Sequence, residues 1–232
     1  MVVPKRVLVG GSSVLDCQWQ EENDKFYSVK WYQASNEFYR FTPSAPIQIQ
    51  IFDPQTLKVD PMRSLGGRVL INNVTLEAAG PFHCEVSADS PTFHTASLHA
   101  NLSVVDPPDN PPLIQGVRSQ YLAGDWVDLT CTSEGSNPHP LLFFSVNDEP
   151  VPEDWLDTQI DQTNYKGLSD SILRLRFPLL PSILKEEGYA RVKCSSIIPD
   201  IYYEESIDVI TTLPPFQASV QDGASNTSEG LQ

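Results

Sequence analysis

The feature that most constrains this chain is the placement of its cysteines, two in each half. Cys17 and Cys84 are separated by 67 residues, and Cys131 and Cys194 by 63. Four cysteines allow three pairings, but intervals so similar favour one disulfide in each half. A chain of 232 residues is long enough for two domains of about 100 residues, each with its own core. The cysteines therefore predict two tandem domains with the same architecture.

A tryptophan and its flanking pattern indicate the architecture of the first domain. Val29 and Trp31 alternate with polar residues on the strand that follows Cys17. In immunoglobulin sandwiches, a tryptophan at this place packs on the disulfide that joins the two sheets. The long stretch 37–52 is typical of the two extra strands of a variable-type domain. We therefore predict an all-β chain of two tandem immunoglobulin-like β-sandwiches, the first of variable type.

The second half repeats the plan with fewer strands. Phe144 stands where the tryptophan is expected, and no counterpart of the long insertion is evident. These features predict a constant or intermediate type. The predicted domains are a variable-type domain at 1–106, a proline-rich linker at 107–112, a second immunoglobulin-like domain at 113–213 and a disordered tail at 214–232.

Charge and cysteine usage restrict the partners and the compartment. A formal net charge of −15 and a pI near 4.5 oppose binding to nucleic acid or anionic membranes, which require clusters of lysine and arginine. Full pairing of the cysteines is typical of proteins outside the cell. No apolar run reaches the length of about 18 residues needed to span a bilayer. We expect a secreted protein, or one anchored through a segment outside the given sequence.

The sequence offers no catalytic constellation. It has no glycine-rich phosphate loop, no Gly-x-Ser-x-Gly elbow and no cysteine left over from the two pairs. Glu85 and Asp89 are too few for calcium, which takes six to eight oxygens. The histidines show no ligand spacing along the chain; they are His83, His94, His99 and His139. The expectation is a protein with no enzymatic activity, cofactor or metal.

Two segments carry a more specific resemblance. They are Glu-Phe-Tyr-Arg-Phe at 37–41, followed by Pro43, and Glu-Val-Ser-Ala-Asp-Ser-Pro at 85–91. Together they resemble the beaten path family of arthropod neuronal surface and secreted proteins, and the resemblance covers both domains. It implies a variable-like domain followed by a second immunoglobulin domain. It also implies a role in axon guidance, through binding to sidestep-family receptors, which are themselves immunoglobulin proteins.

The expected binding site is the sheet whose strands are conventionally lettered G, F, C and C′. It is the usual adhesive face of variable domains, and side chains that alternate with core positions point outward from it. For 37–41 the sequence leaves two phases open, with either Phe38 and Arg40 or Glu37, Tyr39 and Phe41 outward, and either phase would expose aromatic surface. The predicted partner-binding residues are Lys30, Tyr32, Glu37, Phe38, Tyr39, Arg40, Glu85, Ser87, Asp89, Ser90, Pro91 and Phe93.

Three sequons mark candidate N-glycosylation sites, at Asn73, Asn101 and Asn226. A glycan on Asn73 or Asn101 is expected away from the centre of the binding sheet, and a glycan inside that sheet would count against the predicted site.

Another class of function remains open at this stage. A secreted immune or carbohydrate-recognising immunoglobulin protein would share the same core and charge, and a glycan array would separate it from a binder of cell-surface proteins.

Overall fold

The computed structural model describes residues 1–20, 25–52 and 56–212. The regular structure of these residues consists of β-strands with short 3₁₀ turns, and the strands form two sandwiches. No helix in the described part of the chain is long and apolar enough to cross a membrane. The tail predicted at 214–232 lies outside the described residues, as does the last residue of the predicted second domain.

The first sandwich pairs a large sheet with a small one. The large sheet has the order β1-β9-β8-β3-β4-β5, in which only β1 and β9 are parallel among the described strands, and the small sheet has the order β2-β7-β6. The bounds are β1 (Arg6–Leu8), β2 (Ser13–Asp16), β3 (Phe26–Gln33), β4 (Asn36–Phe41), β5 (Ile49–Ile51), β6 (Lys58–Val59), β7 (Arg68–Asn72), β8 (Gly80–Ala88) and β9 (Thr95–Val105). β4 and β5 are the extra strands predicted from the long insertion, and the variable type is confirmed.

The second sandwich has two four-stranded sheets, with the orders β10-β11-β15-β14 and β13-β12-β16-β17. The bounds are β10 (Leu113–Gln115), β11 (Trp126–Ser136), β12 (Leu141–Val146), β13 (Glu149–Pro150), β14 (Ile160–Thr163), β15 (Ser169–Pro178), β16 (Tyr189–Ile198) and β17 (Tyr202–Thr211). Because β13 has only two residues and only a 3₁₀ turn (Glu153–Trp155) separates it from β14, this domain lacks the broad extension of the first. The predicted constant or intermediate type is confirmed.

The core of the first sandwich is built around its disulfide. Cys17 is bonded to Cys84, and Trp31 lies opposite Cys84 on the neighbouring strand with its side chain fully buried. The indole Nε1 of Trp31 donates a hydrogen bond of 2.9 Å to the carbonyl oxygen of Gly67. The same oxygen accepts the backbone N–H of Cys17 at 3.1 Å. One carbonyl group therefore joins the tryptophan of the large sheet to the cysteine that follows β2 in the small sheet.

Gly67 has no room for a side chain. A Cβ atom at this position would collide with the carbonyl oxygen of Cys17 and would come within 2.9 Å of the ring of Trp19. Since the first of these contacts is with backbone, it cannot be relieved by a change of rotamer. Glycine is thus required here by the close approach of two chain segments.

In the second core a smaller aromatic side chain packs against the disulfide. Cys131 is bonded to Cys194, and Phe144 lies directly opposite Cys194 with 4% of its surface exposed. Trp155 stacks on Phe177 with ring centroids 5.1 Å apart, so further aromatic volume comes from the turn before β14. A phenylalanine at the tryptophan position is therefore compatible with a filled core.

Hydrogen bonds fasten the junction between the sandwiches. Asp106, directly after β9, exchanges two backbone hydrogen bonds of 2.8 Å with Asn137 of the second sandwich. Arg6 donates a hydrogen bond of 3.0 Å to the carbonyl oxygen of Pro199, and Tyr202 donates one of 3.3 Å to that of Asn110. These contacts add to the stiffness expected from the prolines at 107–112.

Replacement of Gly67 by alanine tests the central contact of the first core. Overpacking against backbone should lower the free energy of unfolding of this sandwich by about 2 kcal/mol or more. Differential scanning calorimetry should show an earlier transition for the first domain and an unchanged one for the second.

The matched control is Gly10→Ala. Gly10 has a φ of 77° with nothing within 4 Å of a Cβ atom, so only backbone strain of about 1 kcal/mol is expected. An equal effect of both substitutions would contradict the steric account of Gly67.

Candidate protein-binding face on the first domain

The solvent side of the large sheet carries most of the predicted binding residues. Trp31 on β3 and Cys84 on β8 point into the core, so the residues that alternate with them point outward. We call the solvent side of β5, β4, β3, β8 and β9 the outer face. From β3 and β8 it contains, among the predicted residues, Lys30, Tyr32, Glu85 and Ser87.

The register of the strands arranges this surface into two rows. The first row runs Gln50, Arg40, Lys30, Glu85 and Ser97 across five strands. The second runs Glu37, Tyr32, His83 and His99 across four. Side chains directly opposite one another on adjacent strands are neighbours, so each row is a line of adjacent side chains across the sheet.

Three rings stack along the second row. Tyr32 lies parallel to His83 with centroids 4.4 Å apart, and His83 lies 5.1 Å from His99 at a tilt of 32°. The hydroxyl of Tyr32 donates a hydrogen bond of 3.1 Å to Glu85 Oε2 and thereby joins the two rows. Burial, and then the bond to Glu85, raise the pKa of Tyr32 to about 12. The row is an ordered surface of aromatic and imidazole rings.

The sequence places His83 with Glu85 and Ser87 on the polar side of β8, but neither His83 nor His99 was among the predicted partner-binding residues. His83 and His99 are distant in sequence, and each alone resembles an ordinary surface residue. Their positions on the outer face follow from the alternation that places Cys84 inward, but their contact depends on the register between β8 and β9. That register was the missing information.

The prediction for Phe38 and Tyr39 was wrong. Tyr39 pairs with Trp31 and Glu37 with Tyr32, so Phe38 is an extra residue in β4 and forms a bulge. The bulge breaks the alternation and turns both rings inward: Phe38 is 3% exposed and Tyr39 is fully buried. Neither side chain is available to a partner.

The contacts of these rings confirm their place in the core. Phe38 packs edge-on against Phe82 with centroids 5.9 Å apart. Burial raises the pKa of Tyr39 to about 12. Phe41 is half-buried and lies 6.4 Å from Phe26 in a stacked arrangement. The expectation that this stretch exposes aromatic surface in either phase was therefore incorrect.

The same bulge places Glu37 and Arg40 together on the outer face. Arg40 Nε and Nη2 donate to the two carboxylate oxygens of Glu37 at 2.6 and 2.8 Å. The hydrogen bond with Glu37 also raises the pKa of Arg40. The guanidinium stands 5.6 Å from the ring centre of Phe52, which follows β5 and is 38% exposed. Arg40 is thus held in a fixed orientation between a carboxylate and a ring.

The loop between β8 and β9 forms the rim of the outer face. Asp89 accepts the backbone N–H of Ser90 at 2.7 Å, and its carbonyl oxygen accepts that of Phe93 at 3.2 Å. Ser90 and Pro91 are exposed at its tip. Phe93 is 69% exposed and has a φ of 50°, in the left-handed region that a phenylalanine rarely adopts. The loop therefore presents an aromatic ring to solvent.

Ser87 lies between the rim and the rows. Its hydroxyl forms a hydrogen bond of 3.1 Å with that of Thr95 on β9. This hydrogen bond links the end of β8 to the start of β9, next to the loop.

The candidate glycosylation sites fall at different places. Asn73 is exposed in the turn after β7, on the side of the small sheet. Asn101 is exposed on β9, opposite Pro81 and close to the second sandwich. It therefore belongs to the binding sheet itself and, two residues from His99, to its outer face, although at the end away from the loop with Phe93. A glycan on Asn101 would count against this face as the binding site. Asn226 lies outside the described residues.

Alkaline titration tests the environment of Tyr32. The pKa of Tyr32 in the folded chain, about 12, exceeds the ordinary value of 10.0. Its contribution to the free energy of unfolding is therefore fully present below pH 10. It is lost as the pH rises from about 10 to about 12. Ultraviolet absorbance should show Tyr32 and Tyr39 ionising late, near pH 12. Burial also raises the pKa of Tyr202.

Single substitutions distinguish the ionisation of Tyr32 from that of Tyr39. Tyr32→Phe and Tyr39→Phe should each remove one tyrosine from the late phase. A late phase of unchanged amplitude in Tyr32→Phe would contradict the raised pKa of Tyr32.

Comparisons with known proteins extend the description of the fold. No protein-family model matches the chain. The crystal structure of Rst D1-D2 matches with a TM-score of 0.61 and 16% identity, over 90% of this chain and 94% of that one. The crystal structure of murine CEACAM1b matches with a TM-score of 0.59 and 17% identity, over 90% and 96%.

A third match is the crystal structure of the mouse coronavirus receptor-binding domain complexed with its murine receptor. Its TM-score is 0.58 at 16% identity, over 90% of this chain and 97% of that one. At such identities the likeness shows the fold alone. The chain has the architecture of two tandem immunoglobulin-like domains.

Proposed function

We propose that this chain is an extracellular recognition protein whose first domain binds another immunoglobulin protein through the outer face. The observation that supports this most strongly is the row of Tyr32, His83 and His99 beside the Arg40–Glu37 pair. Tyrosine and arginine are enriched among the residues that dominate binding energy at protein interfaces. Here they are held by neighbours before any partner arrives, so little side-chain entropy is lost on binding.

The charges on the outer face suit a protein partner. Arg40 and Lys30 are adjacent in the first row, with Glu37 bonded to Arg40 and Glu85 opposite Lys30, so the surface has both signs although the whole chain carries −15. A mixed surface of this kind fixes the orientation of a complementary partner rather than attracting a polyanion. The function proposed is recognition without catalysis.

The identity of the partner rests on the resemblance to the beaten path family. It is carried by 37–41 and 85–91, which contribute Glu37, Arg40 and Glu85 to the outer face and Asp89 to its rim. We therefore propose a sidestep-family receptor as the partner and axon guidance as the process. One structural neighbour is a murine receptor complexed with a coronavirus domain, so the same fold supports protein recognition there.

The extracellular location is supported by the two disulfides. The structure contains Cys17–Cys84 and Cys131–Cys194, and no free cysteine occurs among the described residues. Such bridges persist in oxidising compartments. The proposed protein is secreted or held at the cell surface.

Substitutions on the outer face test the proposal. Binding of the chain to the first domains of sidestep-type receptors would be measured by surface plasmon resonance. Arg40→Glu reverses a charge in the first row, and Phe93→Ala removes the exposed ring of the rim. Each should weaken binding by about tenfold or more, equivalent to about 1.4 kcal/mol.

Two matched controls lie on the opposite side of the domain. Lys58→Glu reverses an exposed charge on β6 of the small sheet, and Met62→Ala truncates an apolar side chain that is 91% exposed. Both should bind like the unchanged chain. Equal losses in variants and controls, or no loss in either outer-face variant, would contradict the assignment.

A parallel glycan array distinguishes the other functional class. Strong binding to a sugar by a chain that binds no immunoglobulin protein would favour the carbohydrate-recognising alternative.

A further inference from the structure

The last strand of the first sandwich, β9, has a free edge over most of its length. One side of β9 pairs with β8 over 95–102. The other side pairs with β1, but only over 103–105. Within the described ranges 1–20, 25–52 and 56–212, no strand pairs with this second side over 95–102. The free edge therefore offers backbone groups to which another strand can hydrogen-bond.

The contacts with β1 show which backbone groups face this edge. The N–H of Ser103 donates to the carbonyl oxygen of Lys5, and the carbonyl oxygen of Val105 accepts the N–H of Val9. The backbone groups of alternate residues point to the same side of a strand. The N–H and C=O groups of the odd-numbered residues from 95 to 101 thus face the free edge, and those of the even-numbered residues face β8.

The inner side of the same stretch is apolar and uncovered. Leu98 lies opposite Cys84 and Ala96 opposite Val86, so both side chains point toward the space between the sheets. Leu98 is nevertheless 47% exposed, and Ala96 is exposed as well. A cavity of about 640 Å³ is lined by Leu98, Val86 and Trp19, among others. A strand added at this edge can therefore bury apolar side chains of its own there.

The edge lacks the charges that keep many edge strands from pairing. β9 contains no lysine, arginine, aspartate or glutamate. The last strand of the second sandwich, β17, contains Glu204, Glu205 and Asp208. Charged side chains on an edge oppose pairing with another strand. Although the chain carries a formal net charge of −15, two copies of β9 can pair without bringing like charges together on the paired strands.

The sequence around Leu98 is complementary to itself in an antiparallel pair. When Leu98 lies opposite Leu98 of a second copy, Ala96 lies opposite Ala100 on the inner side, and Ser97 lies opposite His99 on the outer side. The small alanines leave room for the two leucines, and the polar pair can form a hydrogen bond. This register also sets odd-numbered residues opposite one another, so each such pair exchanges both of its backbone hydrogen bonds.

We propose that the free edge of β9 is a self-association site, at which two copies of the chain pair antiparallel. The two large sheets form one continuous sheet with a two-fold axis at Leu98. The inner side chains of each copy cover the cavity of the other. Both outer faces lie on the same side of this continuous sheet, so the dimer presents the outer face twice. The inference goes beyond the proposed receptor binding and does not depend on it.

Sedimentation-velocity ultracentrifugation of the full chain tests self-association. N-glycans are removed enzymatically first, because the sequon of Asn101 lies at the end of this edge. The unchanged chain should dimerise with a dissociation constant below about 0.1 mM. Leu98→Asp should weaken dimerisation by at least about tenfold, since it sets two carboxylates opposite each other.

The chain offers a matched control for this substitution on β17. Ile207 is an aliphatic residue with 51% of its surface exposed, close to the value for Leu98. Ile207→Asp should dimerise like the unchanged chain. Circular dichroism would establish that both aspartate variants are folded.

A cysteine at the two-fold axis tests the register. In an antiparallel pair whose residues do not exchange hydrogen bonds, the Cα atoms lie about 4.5 Å apart, within the range of a disulfide. Leu98→Cys should therefore form a disulfide-linked dimer on mild oxidation. Ala96→Cys should not, because the two residues at position 96 lie four residues apart along the paired strands, or about 13 Å.

Three results would overturn the proposal. They are an unchanged chain that is monomeric up to about 0.1 mM, equal effects of Leu98→Asp and Ile207→Asp on dimerisation, and equal cross-linking of the two cysteine variants. A dimer that Leu98→Asp leaves intact counts as the second of these results, since the contact then lies elsewhere on the chain. Because no receptor is present, these results are separate from those of the receptor-binding measurement.

Discussion

The hydrogen bond between the indole of Trp31 and the carbonyl oxygen of Gly67 holds the first domain in register. That oxygen also accepts the backbone N–H of Cys17, so the tryptophan, the disulfide and both sheets meet at one point. A buried donor without a partner costs about 1–3 kcal/mol, which penalises any displacement of β3 against the small sheet. With β3 fixed, the inward positions of β8 are fixed through their pairing with it.

The outer face depends on this inner arrangement. Side chains alternate along β3, β8 and β9, so a shift of one residue would exchange the core rings for Tyr32, His83 and His99. The disulfide excludes such a shift because Cys84 must remain inward. The proposed interaction surface is thus specified by the core. We infer that substitutions in the core would alter recognition indirectly, through the register.

The sequence predicted those features that depend on local patterns. The cysteine intervals, Trp31 and the alternation around Cys84 were sufficient for the two sandwiches, the disulfides and the orientation of β3 and β8. The bulge at Phe38 was not predictable, because it arises from pairing with β3 rather than from the residues of β4. The contact of His83 with His99 depends in the same way on register. The role of Gly67 was missed because glycine carries no pattern that reports close backbone approach. In each case the missing information was how segments distant in the sequence pair with or approach one another.

The central claim is that the outer face, and not the small sheet, contacts an immunoglobulin partner. Cross-saturation nuclear magnetic resonance on a complex with a sidestep-type receptor domain tests it most directly, since it maps the contact without substitution. The account predicts attenuated amide signals on β3, β4 and β8 and in the loop that carries Phe93. Attenuation confined to β2, β6 and β7, or to the second sandwich, would contradict it.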